Sequence, residues 1–148
     1  MGLDMYLKAK KYVSQYTDKE TYEKINGIDV GQSGMEINEV SAQAMYWRKA
    51  NAIHDWFVQN CQDGIDECQE TWVGVEKLSA LRDLCREVLA NKGRACELLP
   101  TTSGFFFGST DYDDWYFQDV QNTETRLTEI LENENLIKNW DFYYQSSW

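Results

Sequence analysis

His54 is the only histidine in the sequence, so any histidine-based chemistry has to use this residue. It could serve as a general base for a hydroxyl or thiol nucleophile, for which Cys61, Cys85, Ser103 and Ser109 are the candidates. The chain has no G-x-S-x-G motif, the turn that presents the nucleophilic serine in one large class of hydrolases. A histidine at the edge of an apolar helix face, with a satisfied ring nitrogen, is the simpler interpretation.

A second group of residues combines cations, an aromatic ring and hydroxyls, and we treat it as a candidate ligand-binding pocket. Its members are Trp47, Arg48, Lys49, Asn51 and His54, with Thr101, Thr102, Ser103 and Ser109 farther along the chain. Such a pocket suits a small anion or a nucleotide, through charge-assisted hydrogen bonds and ring stacking. An ion pair from Arg48 or Lys49 to an aspartate of the third predicted helix is the alternative, and we favour it.

Three aspartates, Asp111, Asp113 and Asp114, stand where that third helix is predicted to begin. Their carboxylates suit the positive end of the helix dipole, and Thr110-x-x-Asp113 matches a capping box. The segment from Gly104 to Thr110 lacks the spacing and the lysine of a phosphate-binding loop, and the aspartates lack the spacing of a calcium loop. We therefore predict capping, with no metal and no cofactor.

The charge balance indicates the kind of partner to expect. There are 14 basic and 25 acidic residues, for a net charge of −11. Such a field repels nucleic acid and anionic membranes and favours a protein with a basic surface, although acidity also simply increases solubility. We expect the contact surface to include acidic residues outside the apolar stripe of the third helix: Asp114, Asp119, Glu124 and Glu132.

Length and composition indicate one globular domain covering residues 1–148. Hydrophobic residues make up 43% of the 148 positions, which is enough for a real core. No stretch approaches the roughly 18 apolar residues of a membrane helix, and Asp4 stands where a signal peptide would be basic. We therefore expect a cytoplasmic protein. Its cysteines are predicted to be reduced and metal-free, because Cys61, Cys68, Cys85 and Cys96 form no C-x-x-C pair.

Apolar periodicity places the elements that would position these residues. Alternation of apolar and polar residues predicts strands at Leu3–Leu7, where the pattern breaks at Lys8, and at Trp140–Tyr144. Short strands are predicted at Thr71–Val73 and Gly104–Phe107. Helical spacing predicts helices over about 38–60, 75–92 and 111–133, with Gly93 as a C-cap and an irregular arm over about 17–37.

The order of these elements predicts the fold class. Strands at both ends of the chain and three helices between them indicate an α+β domain. We expect a small, mainly antiparallel sheet in which the two terminal strands are neighbours, covered on one face by about three helices. The Trp47–His54 face of the first helix should pack against residues 100–109, because Lys49 and His54 interrupt its apolar stripe and need polar partners once buried.

Three blocks of sequence resemble a group of small, uncharacterised proteins of bacteriophages and prophages. The blocks are Met1–Leu7, Tyr46–His54 and Leu99–Ser109. The resemblance implies no catalytic residues. It implies an accessory phage gene, whose product often serves host takeover or counters host defence by binding.

These observations lead to three functional hypotheses. The first is an acidic, phage-type accessory protein that binds a host protein stoichiometrically and inhibits it, with a nucleic-acid enzyme as one class of target. The second is a binder that sequesters a small anionic ligand such as a nucleotide signal. The third is a hydrolase that uses His54 and the carboxylates of Asp111–Asp114, and we rank enzymatic activity below binding.

Overall fold

In the computed structural model, which describes residues 2–148, strands and helices alternate up to Ala90, and three further α-helices then precede the last strand. In chain order the elements are β1 (Asp4–Tyr12), α1 (Lys19–Asn26), β2 (Glu39–Arg48), α2 (Asn51–Cys61), β3 (Thr71–Val73), α3 (Val75–Ala90), α4 (Ala95–Leu98), α5 (Asp114–Leu131), α6 (Glu134–Asn139) and β4 (Asp141–Ser147). A single 3₁₀ turn over Lys92–Arg94 separates α3 from α4.

The strands form one antiparallel sheet in the order β2-β1-β4-β3. The two terminal strands are neighbours, as their matching alternation predicts, with Leu7 opposite Tyr144. Apolar side chains of β1 and β4 cover one face of the sheet and are buried beneath the helices. The other face is open and carries Lys8, Lys10 and Tyr143. The predicted α+β class and the one-sided helical layer are therefore confirmed.

The β1 strand is longer than predicted. The alternation weakens at Lys8 in the sequence, yet β1 continues to Tyr12. Lys8 and Lys10 point to the open face, where both ammonium groups bind the carboxylate of Glu70. A lysine on the solvent side of a half-buried strand does not interrupt the strand, since only the inner face has to be apolar.

The predicted helix over 38–60 is wrong, because this segment forms the edge strand β2 and then the helix α2. Most side chains of β2 are exposed, so its sequence shows no clear alternation of apolar and polar residues that would predict a strand. Pairing with β1 along its length decides the strand conformation, with a bulge between Leu7 and Lys8 in the register. The break between the two elements falls at Lys49, whose φ of 55° is left-handed and ends the strand.

Three smaller expectations also need correction. The arm contains the helix α1, capped by the side chain of Asp18, instead of being irregular throughout. The segment Gly104–Phe107 is a turn, in which the Phe107 amide donates to the Gly104 carbonyl, and not a strand. The C-cap of α3 is Asn91, and Gly93 lies in the following 3₁₀ turn.

The long helices α3 and α5 provide most of the layer over the sheet. Their inward faces carry the predicted stripes, with Leu78, Leu81, Cys85 and Val88 buried in α3 and Tyr116, Val120, Thr123, Leu127 and Ile130 buried in α5. An ion pair between Arg86 and Glu124, at 2.8 Å, joins the two helices at their outer edge. Among the described helices, none is both long and apolar enough to cross a bilayer.

Candidate functional site

The candidate site begins at the junction between β2 and α2. Lys49 adopts the left-handed conformation there, and its amide donates to the Leu3 carbonyl at 2.8 Å. The N-cap of α2 is Ala50, whose methyl group cannot accept a hydrogen bond from the first turn. The first amides of a helix have no acceptor within the helix, so this end of α2 keeps unused donors and a partial positive charge.

The side chain of Asn51 fixes the opposite wall of the site to this helix. Its amide nitrogen donates to the carbonyls of Phe107 and Ser109, at 3.0 and 2.8 Å. Its amide oxygen accepts from the backbone N–H of Thr102 at 3.0 Å. One buried side chain thus holds the 102–109 loop against the start of α2. Asn51 therefore positions the wall and has no donor left for a ligand.

A cavity of about 270 Å³ lies between this junction, the loop and the start of α5. The floor is apolar and includes Ile53 and Val120, and the mouth carries polar groups from all three segments. The complete lining is Arg48, Lys49, Ala50, Asn51, Ala52, Ile53, Thr101, Gly108, Ser109, Asp111, Asp113, Trp115, Tyr116, Asp119 and Val120. Its size is just below the roughly 300–1,000 Å³ typical of small-molecule sites.

Two cations stand on one side of the cavity mouth. Among residues 2–148, no ion pair within 4.0 Å involves Arg48 or Lys49. The favoured expectation of an internal ion pair from these residues to α5 is therefore wrong. Gly2 and Gly108 leave room for the Lys49 side chain, since a Cβ at either position would lie about 3 Å from its atoms.

Carboxylates and an indole ring form the other side. Asp113 is the N-cap of α5 and accepts from the Tyr116 amide at 3.0 Å, which confirms capping by the aspartates although Thr110 is not the cap. Asp119 lies six residues farther along, and burial, reinforced by the charge of Asp113, raises the pKa of its carboxyl to about 6. Trp115 also lines the mouth, with 80% of its surface exposed. The cavity therefore has a cationic side, an acidic side and an exposed aromatic ring.

His54 does not line this cavity. Its Nδ1 atom lies 2.6 Å from the Tyr144 hydroxyl and its Nε2 atom 2.8 Å from Asp66. The predicted packing of this residue against the loop does occur, because the His54 ring meets the Phe107 ring edge-to-face at 5.2 Å. Its polar partners, however, come from β4 and the 65–70 loop. Both ring nitrogens of His54 thus contact groups other than the carboxylates of Asp111–Asp114.

The other predicted site residues divide into two groups. Arg48, Lys49, Asn51, Thr101 and Ser109 line the cavity, as expected of a common site. Trp47, Thr102 and Ser103 do not line it. Trp47 is a buried residue of β2, and its indole N–H donates to Thr123 at 2.8 Å.

The four acidic residues expected on the partner surface also separate in space. Asp114 and Glu132 are exposed, at the two ends of α5. Glu124 forms an ion pair with Arg86, and its side chain is mostly buried. Asp119 belongs to the cavity wall. Only two of the four are thus free on the surface, and they do not form a patch.

Sequence reasoning missed the α5 contribution to the cavity, namely Trp115, Tyr116, Asp119 and Val120. The sequence does contain a pattern that could have predicted this contribution. Tyr116 and Val120 belong to the apolar stripe of α5, and the acidic residue Asp119 directly precedes Val120, at the border of that stripe. In residues 2–148, no group of three or more histidine, cysteine, aspartate or glutamate side chains is arranged to hold a metal ion.

Comparison of the chain with protein-family models, with curated proteins and with solved structures gave no match.

Proposed function

We propose that this protein binds a small molecule in the cavity between α2, α5 and the 102–109 loop. The single observation that supports the proposal most is the cation pair Arg48 and Lys49 at the mouth of a partly apolar cavity, without an acidic partner in the described chain. Two adjacent cations repel each other, and an anionic group between them relieves that repulsion. The open N-terminal turn of α2 adds donors to the same side.

The opposite side of the cavity restricts the class of ligand. Asp111, Asp113 and Asp119 repel a ligand that is anionic throughout. They attract an amino group or another hydrogen-bond donor. The exposed Trp115 ring offers a surface for stacking. The ligand should therefore combine an anionic group, a hydrogen-bond donor and a planar ring. A nucleoside monophosphate with an exocyclic amine has all three, with its phosphate at Lys49, its amine at Asp119 and its base at Trp115.

Isothermal titration calorimetry with paired nucleotides tests this proposal. We expect AMP to bind more tightly than IMP, and CMP more tightly than UMP, since only the first of each pair has an amine for Asp119. Lys49→Gln should weaken AMP binding about tenfold and leave the thermal stability almost unchanged, because Lys49 forms no ion pair within residues 2–148. Asp119→Asn should remove the preference for AMP over IMP.

A matched variant controls for the general loss of positive charge. Lys138 is an exposed lysine of α6 that pairs only with Glu134 on its own helix, so Lys138→Gln should bind AMP as the wild type does. Equal binding of all four nucleotides, or equal weakening by both lysine variants, would contradict the proposal.

A second function is stoichiometric binding of a basic host protein, as expected of a phage-type accessory protein that inhibits a host enzyme. It is supported by the net charge of −11 and by large apolar side chains exposed on the surface, including Phe105 and Trp115. A complex steered by charge should form more slowly as salt increases, since exposed charges are screened over about 8–10 Å near physiological ionic strength.

The salt dependence is measured on the complex captured from host lysate, once its partner has been purified. Reversal of the exposed charges Asp114 and Glu132 should slow association if α5 forms part of the contact. An association rate that is independent of salt would exclude charge steering as the basis of binding.

A further inference from the structure

The connection between β1 and β2 exposes an unusual amount of apolar surface. We extend the predicted arm of about 17–37 to residues 15–37, and the name arm refers to these residues from here on. Four of its large apolar side chains face solvent: Tyr16 is 88% exposed, Val30 70%, Met35 69% and Ile28 57%. The helix α1 lies within the arm, and none of its residues, all of which the structure describes, is buried. The arm therefore contributes little to the core, and its apolar groups remain available for contact.

Hydrogen bonds within the arm hold these side chains outward in a defined arrangement. Asn26 pairs with the backbone of Ile37 in both directions, at 2.9 and 2.8 Å. The side-chain amide of Gln32 donates to the Ile28 carbonyl and accepts from the Val30 amide, both at 2.8 Å. Docking to such a surface costs less conformational entropy than docking to a flexible loop.

The charge of the arm is acidic and partly uncompensated. Its charged residues are Asp18, Lys19, Glu20, Glu23, Lys24, Asp29 and Glu36. Both lysines pair with glutamates one helical turn away, and Asp18 pairs with Lys11 of β1 at 2.8 Å. Asp29 and Glu36 have no ion pair within residues 2–148. They are the sequence neighbours of Ile28, Val30 and Met35, so each of these apolar side chains has beside it a carboxylate without an ion pair in the described residues. Asp29 accepts a hydrogen bond from the Gly31 N–H at 2.9 Å, which leaves its negative charge uncompensated.

We propose that the arm is a docking surface for a partner protein that presents an apolar cluster bordered by lysine or arginine. The apolar side chains would fill the centre of the contact, and Asp29 and Glu36 would pair with cations at its rim. A second copy of this chain is a poorer fit, since each copy has a charge of −11. This inference rests on the second function proposed above and places its contact on the arm instead of α5.

A displayed library of random peptides, selected against the immobilised full-length chain, tests the inference. We expect the enriched peptides to combine large apolar residues with lysine or arginine. The double variant Val30→Ser, Met35→Ser should bind these peptides at least about tenfold more weakly, because it removes the apolar centre. The double variant Asp29→Asn, Glu36→Gln should bind about threefold more weakly at low salt and equally at high salt.

Two matched variants identify the surface that is used. Ile65→Ser changes an exposed isoleucine outside the arm, and Asp83→Asn changes an exposed carboxylate of α3. Both should bind the peptides as the wild type does. Circular dichroism shows whether each variant is folded. All six substituted positions in the arm and control variants are exposed, so we expect each variant to fold.

The remaining outcomes overturn the inference. If the arm variants bind normally and Asp114→Lys, Glu132→Lys does not, the contact lies on α5 and partner binding itself still stands. Enrichment of acidic peptides, or of none, removes the basic partner as well. If the wild type is dimeric in sedimentation equilibrium and the Val30→Ser, Met35→Ser variant is monomeric, the arm binds a second copy of the chain.

Discussion

The Nδ1 atom of His54 lies 2.6 Å from the hydroxyl of Tyr144, and His54 is only 1% exposed. Asp66 accepts from the Nε2 atom of the same ring, and its other carboxylate oxygen accepts from the indole N–H of Trp148. In the tautomer with a proton on Nε2, the Nδ1 atom accepts a hydrogen bond from the Tyr144 hydroxyl. The network thus connects α2, β4, Trp148 and the 65–70 loop, and both ring nitrogens of His54 and both carboxylate oxygens of Asp66 have hydrogen-bond partners.

Removal of the Tyr144 hydroxyl should destabilise the protein. Tyr144→Phe leaves the buried Nδ1 atom of His54 without its partner, and the free energy of unfolding should fall by about 1–3 kcal/mol in urea denaturation. Tyr143→Phe is the matched control, because Tyr143 is the adjacent residue on the open face. It should change stability by less than about 0.5 kcal/mol. Equal effects of the two variants would show that the network contributes no stability.

The Asn51 clamp should control the order of the 102–109 loop. Asn51→Ala removes three hydrogen bonds to this loop and should lower the free energy of unfolding by about 2–3 kcal/mol. Hydrogen exchange at the Thr102 amide should accelerate, since that N–H donates to the Asn51 side chain. Asn60→Ala is the control: it is an exposed asparagine of the same helix, bonded only to the Trp56 carbonyl. Unchanged exchange at Thr102 in Asn51→Ala would contradict the clamp.

The Asp119 carboxyl should make stability fall as the pH rises. Its folded pKa is about 6, against the 3.8 usual for an aspartate, so the folded state binds the proton more tightly than the unfolded state does. Ionisation therefore costs stability between about pH 4 and pH 6, and the loss is complete above that range.

Asp119→Asn should accordingly be more stable than the wild type near pH 7. The gain should be about 1–2 kcal/mol after allowance for solvent screening of this half-buried group, and it should disappear near pH 4. Asp114→Asn, on the exposed side of the same helix, should show no such gain. Parallel pH profiles of the wild type and Asp119→Asn would refute the prediction.

Gly108 should tolerate no side chain. Its φ of 85° is unfavourable for other residues, and a Cβ would lie 3.0 Å from the Cβ of Lys49. Gly108→Ala should therefore lower the free energy of unfolding by about 1–2 kcal/mol and weaken AMP binding by displacing Lys49. Gly93→Ala should be neutral or slightly stabilising, because a Cβ at Gly93 meets no atom within 4 Å. Thermal unfolding of the two variants tests this prediction, and an equal melting temperature for Gly108→Ala and Gly93→Ala would contradict it.

The cysteines should differ strongly in reactivity. Burial raises the pKa of the Cys85 thiol to about 12 and that of Cys61 to about 11, so neither is appreciably ionised near pH 8. Cys96 is exposed and should react first with a thiol reagent, and Cys85 last. Mass spectrometry of partly modified protein gives the order. Early modification of Cys85 in the folded protein would contradict its burial.

The sequence by itself determined the elements that have one buried and one exposed face. The alternation at Leu3–Leu7 and at Trp140–Tyr144 predicted two neighbouring strands, and the stripes of α3 and α5 predicted two helices. In each case a single apolar surface has to be removed from water, and the spacing of its residues records the geometry of the backbone.

Only the tertiary structure decided the elements and contacts that depend on a distant partner. Residues 39–48 form a strand because β1 supplies the hydrogen bonds, and their exposed side chains carry no pattern that shows it. The partners of His54 lie 12 and 90 residues away in the chain. Lys49, whose backbone is left-handed, forms no ion pair within residues 2–148, and its side chain lies against Gly2 and Gly108. Side chains so far apart in sequence are brought together by packing of the whole core, which no local pattern encodes.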